Sequence, residues 1–232
     1  MIIVHHLDHS RSQRVLWLLE ELGLEYELKL YRRHPQTMLA PPELRQVHPL
    51  GKSPVIEDNG LVVAESAAIL EYLVERYGNG RFTPPAGTPE ALRCRYWLHY
   101  AEGSAMSPLL LKLVFDQIET KAPFIVRPVA KAIARTFKKG FVLPQIRQHM
   151  DFIEAELGKS EWFAGTELTL ADMQMSFPLE AAAERAAATE GRPAIAAWLG
   201  RIHARPAYQR AVARGNGWMV GRVGLEPTTK GL

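Results

Sequence analysis

The chain has 232 residues, 47% hydrophobic and 23% charged, with a formal net charge of +3. That length suits one large domain or two small ones, each with its own core, and the composition is ordinary for a globular protein. No apolar run is long enough for a membrane-spanning helix, no dense Lys/Arg block points to nucleic acid, and the lone Cys94 allows no internal disulfide and fits a reducing, cytoplasmic compartment.

Ile2–Leu7 is apolar and β-branched at its start and reads as a strand. It has no basic n-region, so it is not expected to be a secretory signal. His5, His6 and His9 beside Asp8 resemble metal ligands, but strand alternation sends His5 and His6 to opposite faces, so no metal site is expected. Val15, Leu18, Leu19 and Leu22 mark one face of a helix that Gly23 ends. Tyr26, Leu28 and Leu30 alternate with Glu27, Lys29 and Tyr31, giving a half-buried strand. Pro42-Glu43-Leu44 opens a short helix. Pro54 then stands at a strand entrance, where proline is tolerated. Asp58-Asn59-Gly60 is a hairpin signal, and Leu61–Ala64 is the return strand. Glu65-Ser66 opens a helix to about Tyr77, with Ser66 as its N-cap. Extended backbone at Val55 beside a helix N-terminus at Ser66 suits a ligand that is part peptide and part anion.

Three prolines and three glycines between Gly78 and Pro89 read as a linker. Beyond it the patterns are helical: from Leu92 towards Phe115, then 129–141, 144–157, 170–190 and 193–214. Pro178 should kink its helix or mark a boundary. Thr169-Leu170-Ala171-Asp172 has capping-box spacing and reads as a helix start, not as chemistry. Arg127, Lys131, Arg135 and Lys139 recur every four residues beside Val126, Ala130, Ile133 and Phe137. Such a basic amphipathic segment can lie on an anionic membrane, but its commoner meaning is a solvated face over a core face. Residues 215–232 read as a disordered tail.

A βαβαββα domain (1–78), a linker (79–88) and an all-helical domain (89–214) together resemble the cytosolic glutathione transferases. The carriers are Asp8-His9-Ser10-Arg11-Ser12-Gln13-Arg14, the loop Pro49-Leu50-Gly51-Lys52-Ser53-Pro54-Val55, the pair Glu65-Ser66, and Thr169…Asp172. Their order along one chain makes the match, which spans residues 1–214 and is similar to serine-type, theta-like members. The resemblance implies a thioredoxin-like first domain that binds glutathione as co-substrate, without a metal. The second domain would hold a small hydrophobic electrophile, with Tyr100 and Met106 as loose candidates for its pocket. The implied protein is a cytoplasmic homodimer serving detoxification, which conjugates the glutathione thiolate to electrophiles or reduces hydroperoxides with it.

A thiol of pKa about 8.5 needs a donor aimed at sulfur to ionise at neutral pH. Ser10, four residues before Arg14, has the spacing of the family's catalytic serine, and Ser12 is the competing hydroxyl. The plainer reading is that Ser10 and Ser12 only cap this helix, which does not exclude donation to sulfur from the same place. The resemblance makes Pro54 a cis-proline that presents the backbone of Val55 to the cysteinyl part. It places Glu65 and Ser66 on the γ-glutamyl ammonium and carboxylate, and Lys52 near the glycyl carboxylate. Leu39 stands where theta-like relatives have a ligand-binding histidine, so the glycyl end departs from the pattern. Glu102 matches an acid that reaches the partner subunit's glutathione in several classes, although a plain exposed helix glutamate fits its pattern as well. Cys94 is read as buried and inert, and no cysteine stands at the first helix N-terminus, which argues against thiol-exchange chemistry. The competing function is a non-catalytic interaction module built on the same fold.

Overall fold

The computed structural model describes residues 1–186 and 189–215, so all of the expected tail except Gly215 lies outside the described residues. The first half runs β1 (Ile2–Leu7), α1 (Gln13–Leu22), β2 (Tyr26–Tyr31), α2 (Leu44–Val47), β3 (Val55–Asp58), β4 (Leu61–Ala64) and α3 (Ser66–Tyr77). The sheet order is β2-β1-β3-β4. β1 and β2 are parallel, with α1 as the crossover, while β3 pairs antiparallel with both β1 and β4. The β3–β4 turn needs two residues with positive φ, and Asn59 (φ 50°) and Gly60 (φ 87°) supply them.

The α1 sequence predicts one apolar face, but the structure buries every residue from Gln13 to Leu19. The reason is tertiary: α1 packs against α3, α8 and α10. Trp17 meets Tyr208 of α10 edge-on at 5.3 Å. Gly23, at φ 70°, ends α1 in the left-handed conformation and returns its N–H to the Leu19 carbonyl.

The described second half is helical: α4 (Pro89–Tyr100), α5 (Met106–Lys121), α6 (Arg127–Phe137), α7 (Leu143–Leu157), α8 (Leu170–Ala186), α9 (Pro193–His203) and α10 (Pro206–Arg214). The long pattern beginning at Leu92 is interrupted by a π-helical turn, Ala101–Ala105, and a second such turn, Lys138–Val142, joins α6 to α7. Residues 193–214 form two helices, because Pro206 starts a new one after Ala204 and Arg205. Pro178 marks no boundary, and α8 continues through it. The expected core face of α6 is not buried: Val126, Ile133 and Phe137 are exposed and Ala130 is half-buried, and only Ala134 of this helix is buried. No described helix is long and apolar enough to cross a membrane.

The predicted capping box forms in half and does more besides. The Asp172 carboxylate accepts the Thr169 N–H (2.9 Å) and the Thr169 hydroxyl (3.1 Å). It also accepts the Phe163 N–H and the Trp198 indole N–H, each at 3.0 Å. One buried carboxylate therefore ties the start of α8 to the loop before it and to α9.

Candidate functional site

A cleft of about 180 Å³ opens where the α1 turn, the loop before β3, the start of α3 and the π-helical turn meet. Its walls are Arg11, His48, Leu50, Lys52, Ser53, Pro54, Ala64, Glu65, Ser66 and Glu102. A larger cleft, about 660 Å³, is lined by linker residues Arg81–Pro85, Trp162 and Arg205, and holds none of the predicted site residues. The smaller cleft is therefore the candidate. Two cations, Arg11 and Lys52, face it together with two carboxylates, Glu65 and Glu102. Such a mixture suits a zwitterionic ligand better than a simple anion.

Ser66 is not the N-cap of α3. Glu65 takes that position with φ 72° and ψ 123°, and Ser66 is the first helical residue. The Glu65 conformation is one that side chains rarely adopt, and such strain gathers at ligand clamps. Freed from capping, the Ser66 hydroxyl faces inward partners. Its oxygen accepts from Arg14 Nη1 at 3.0 Å and from Gln174 Nε2 at 3.2 Å. Both acceptor positions are thereby filled, so its own hydrogen remains to be donated towards the cleft.

Arg14 is wholly buried and its Nη1 also meets Glu102 at 2.6 Å. Burial holds its pKa down at about 10, against the opposing pull of Glu102. Its Nε and Nη2 have no hydrogen-bond partner among the described residues. The guanidinium carbon lies 5.5 Å from the Phe177 ring centre, and Arg11 lies over the same ring at 5.6 Å. Glu102 pairs with Arg11 at 3.0 Å as well. Glu102 is thus no plain exposed glutamate: it ties the helical half of its own chain to α1.

The backbone of Val55 is not offered to a ligand. Val55 is 1% exposed and lies in β3, in register with His5 on one side and Ala64 on the other. A central strand has no free edge for an added peptide. The cis peptide bond joins Ser53 to Pro54, and these two residues line the cleft instead. The Ser53 hydroxyl donates to the His5 carbonyl at 2.7 Å and accepts from the Leu7 N–H at 3.1 Å, pinning the loop to β1.

Ser10 and Ser12 are both buried, with their hydroxyl oxygens 2.7 Å apart. Ser12 is the N-cap residue of α1, but its side chain makes no capping bond. Its oxygen lies 2.8 Å from His6 Nδ1 instead. Leu39 is exposed, Tyr100 bonds to His149 at 2.5 Å, and Met106 is buried; none of the three lines the cleft. Burial pushes the Cys94 thiol pKa up, away from thiolate chemistry. Among the described residues no three His, Cys, Asp or Glu side chains come together as metal ligands. His5 is held by Tyr31 (2.9 Å) and Glu57 (2.7 Å).

Sequence reasoning missed Ser53, Gln174 and His6, and the burial of Arg14. Gln174 carries no local signal, because its partner Ser66 is 108 residues away. Ser53 was legible in principle as the residue before a loop proline.

A parallel-started four-stranded mixed sheet with a cleft at its loop-to-helix turns, capped by a helical half, defines a thioredoxin-like domain joined to an all-helical one. Family models described as "Glutathione S-transferase, N-terminal domain" and "Glutathione S-transferase, C-terminal domain" match residues 10–76 and 136–206. Glutathione S-transferase 3 of Schizosaccharomyces pombe is 35% identical over 214 residues, covering 92% of this chain and 88% of the relative. Glutathione S-transferase 1 of Saccharomyces cerevisiae is 36% identical, covering 90% and 92%. A solved glutathione S-transferase from Actinobacillus pleuropneumoniae superposes with a TM-score of 0.75 at 35% identity, covering 94% of each chain. The chain belongs to the glutathione S-transferase family.

Proposed function

We propose that this chain binds glutathione in the smaller cleft and joins its sulfur to an electrophile held by the helical half. The observation that carries this reading is the Ser66 hydroxyl. Two buried donors, Arg14 and Gln174, fill its lone pairs and leave its hydrogen for a carboxylate in the cleft. A hydroxyl polarised by a guanidinium is a stronger donor than an isolated one. Ser66 also stands at the α3 N-terminus, where a carboxylate is favoured. In this reading Ser66 takes the γ-glutamyl carboxylate and Glu65 the ammonium. Ser53 and Pro54 flank the cysteinyl part, in place of Val55. Lys52 and Arg11 are the cations available to the glycyl end.

The sulfur would then lie near Ser10, as in a serine-type transferase. The reaction breaks the S–H bond, the proton leaves to solvent, and the sulfur lone pair forms a bond to the electrophilic carbon. With an aryl halide, halide departs with the electron pair of its bond. Fixing both reactants in one site supplies much of the acceleration. Residues 1–78 serve as the glutathione-binding domain and 89–214 as the electrophile-binding one. We further infer a cytoplasmic homodimer. Exposed apolar side chains on β4 (Leu61, Val62) and α4 (Leu92, Tyr96) support self-association, and light scattering on a size-exclusion column tests it.

Calorimetry with glutathione, followed by conjugation to a generic aryl halide, tests the main reading. Folded protein that neither binds glutathione nor turns over the halide would instead identify an interaction module.

A further inference from the structure

The hydroxyls of Ser10 and Ser12 belong to a buried hydrogen-bond chain that ends beyond α10. Ser10 Oγ is 2.7 Å from Ser12 Oγ, Ser12 Oγ is 2.8 Å from His6 Nδ1, and His6 Nε2 is 3.2 Å from the Gly215 carbonyl oxygen. The approach is close: a Cβ at 215 would come within 2.8 Å of Gln13 Oε1, the end of a flexible side chain, and within 3.2 Å of the Ala211 carbonyl and His6 Cε1, so a larger residue would crowd this contact.

The direction of every link follows from the last one. A carbonyl only accepts, so the imidazole carries its hydrogen on Nε2. Burial holds the His6 pKa down at about 4, with His9 acting the same way and Gly215 and Asp8 opposing. The ring is therefore neutral at pH 7, and Nδ1 is a bare acceptor. Ser12 has one hydrogen, and the 2.8 Å bond to His6 claims it ahead of the Leu7 carbonyl at 3.4 Å. Ser12 Oγ must then accept from Ser10. Ser10 Oγ in turn accepts the Ser12 N–H at 3.3 Å. The single hydrogen of Ser10 is thereby committed to Ser12.

We propose that His6, held by the Gly215 carbonyl, is a positioning residue that turns the Ser10 hydroxyl inward, so that Ser10 can donate to the glutathione thiolate only by giving up its bond to Ser12. This rests on the glutathione placement proposed above. The chain Gly215–His6–Ser12 therefore restrains ionisation of the bound thiol. Ser10 meets the protonated thiol with a lone pair and meets the thiolate by rotating its hydrogen outward, leaving Ser12 without its donor.

The test is a pH titration of thiolate absorbance near 240 nm with saturating glutathione, on the full chain and on Ser12→Ala, His6→Leu and Ser10→Ala. Ser12→Ala and His6→Leu each remove the competitor for the Ser10 hydrogen. Both should lower the bound thiol pKa by roughly half a unit to one unit, the worth of one neutral hydrogen bond. Ser10→Ala should raise it. A raised pKa in Ser12→Ala would make Ser12 the donor and overturn the proposal. So would an unmoved pKa in Ser12→Ala, which carries the test by itself if His6→Leu does not fold. A wild-type protein with no thiolate signal overturns the glutathione placement and the positioning role together. A wild-type signal with unmoved variants overturns only the positioning role.

Discussion

Arg14 is the clearest case of stability given up at the site. Its pKa is held down at about 10, well below the ordinary guanidinium range, chiefly because burial disfavours the charge. At about 1.36 kcal/mol per unit, the guanidinium costs the fold roughly 3 kcal/mol at neutral pH. The unfolded chain holds this proton more tightly, so the cost is fully present below about pH 10 and is relieved only as pH rises through the folded value. Its unpartnered Nε and Nη2 point the same way. Arg14→Met keeps a long, flexible side chain and removes the charge. It sacrifices the bonds to Ser66 and Glu102, and Glu102 keeps Arg11 at 3.0 Å. The balance lies between zero and about 2 kcal/mol in favour of the variant, a rise in Tm of up to about 6 °C for a chain of this size. Glutathione affinity should fall about 5- to 30-fold, because Ser66 loses its polarising partner. Differential scanning calorimetry and titration calorimetry read the two quantities. Any clear drop in Tm would show that Arg14 is a net stabiliser, and an unchanged affinity would disconnect it from the cleft.

Ser66→Ala should weaken glutathione binding about tenfold or more in titration calorimetry, since it deletes the proposed carboxylate donor, and should cost about 1–3 kcal/mol of stability, since Arg14 Nη1 and Gln174 Nε2 lose their shared acceptor. Glu65→Gly should relieve the φ of 72° and leave melting temperature equal or up to a few degrees higher, while binding of the γ-glutamyl ammonium is lost. Asp172→Ala removes the acceptor of four buried donors and should lower stability by about 3–5 kcal/mol in urea unfolding, more than any cleft variant. The acid side of the stability curve should carry a His6 contribution. Its folded pKa of about 4 lies below the unfolded 6.5, so the unfolded chain binds more protons in between. Stability is then fully present above about pH 6.5 and falls by roughly 3 kcal/mol as pH drops to 4, and His6→Leu should flatten that slope.

Local signals in the sequence were sufficient for local structure. The β3–β4 hairpin was readable from Asp58-Asn59-Gly60, because the turn demands residues that tolerate positive φ. The α1 terminus was readable from Gly23. What tertiary contact decides was not readable. The full burial of α1 depends on α8 and α10, which the α1 periodicity cannot know. Ser66 looked like a cap because serine before a helical pattern usually is one, yet the strained Glu65 takes that place. Glu102 looked like a surface residue because its pattern is that of any helix glutamate, whereas a π-helical turn and a buried arginine bring it to the cleft. The contact of His6 with Gly215 spans 209 positions and joins a strand to a segment that reads as tail.

The most direct test is a crystal structure of the chain with glutathione bound. The γ-glutamyl carboxylate should lie within hydrogen-bond distance of Ser66 Oγ, the cysteinyl backbone beside Ser53, and the sulfur nearer to Ser10 Oγ than to Ser12 Oγ. Glutathione bound elsewhere, with Ser66 facing only Arg14 and Gln174, would contradict the account.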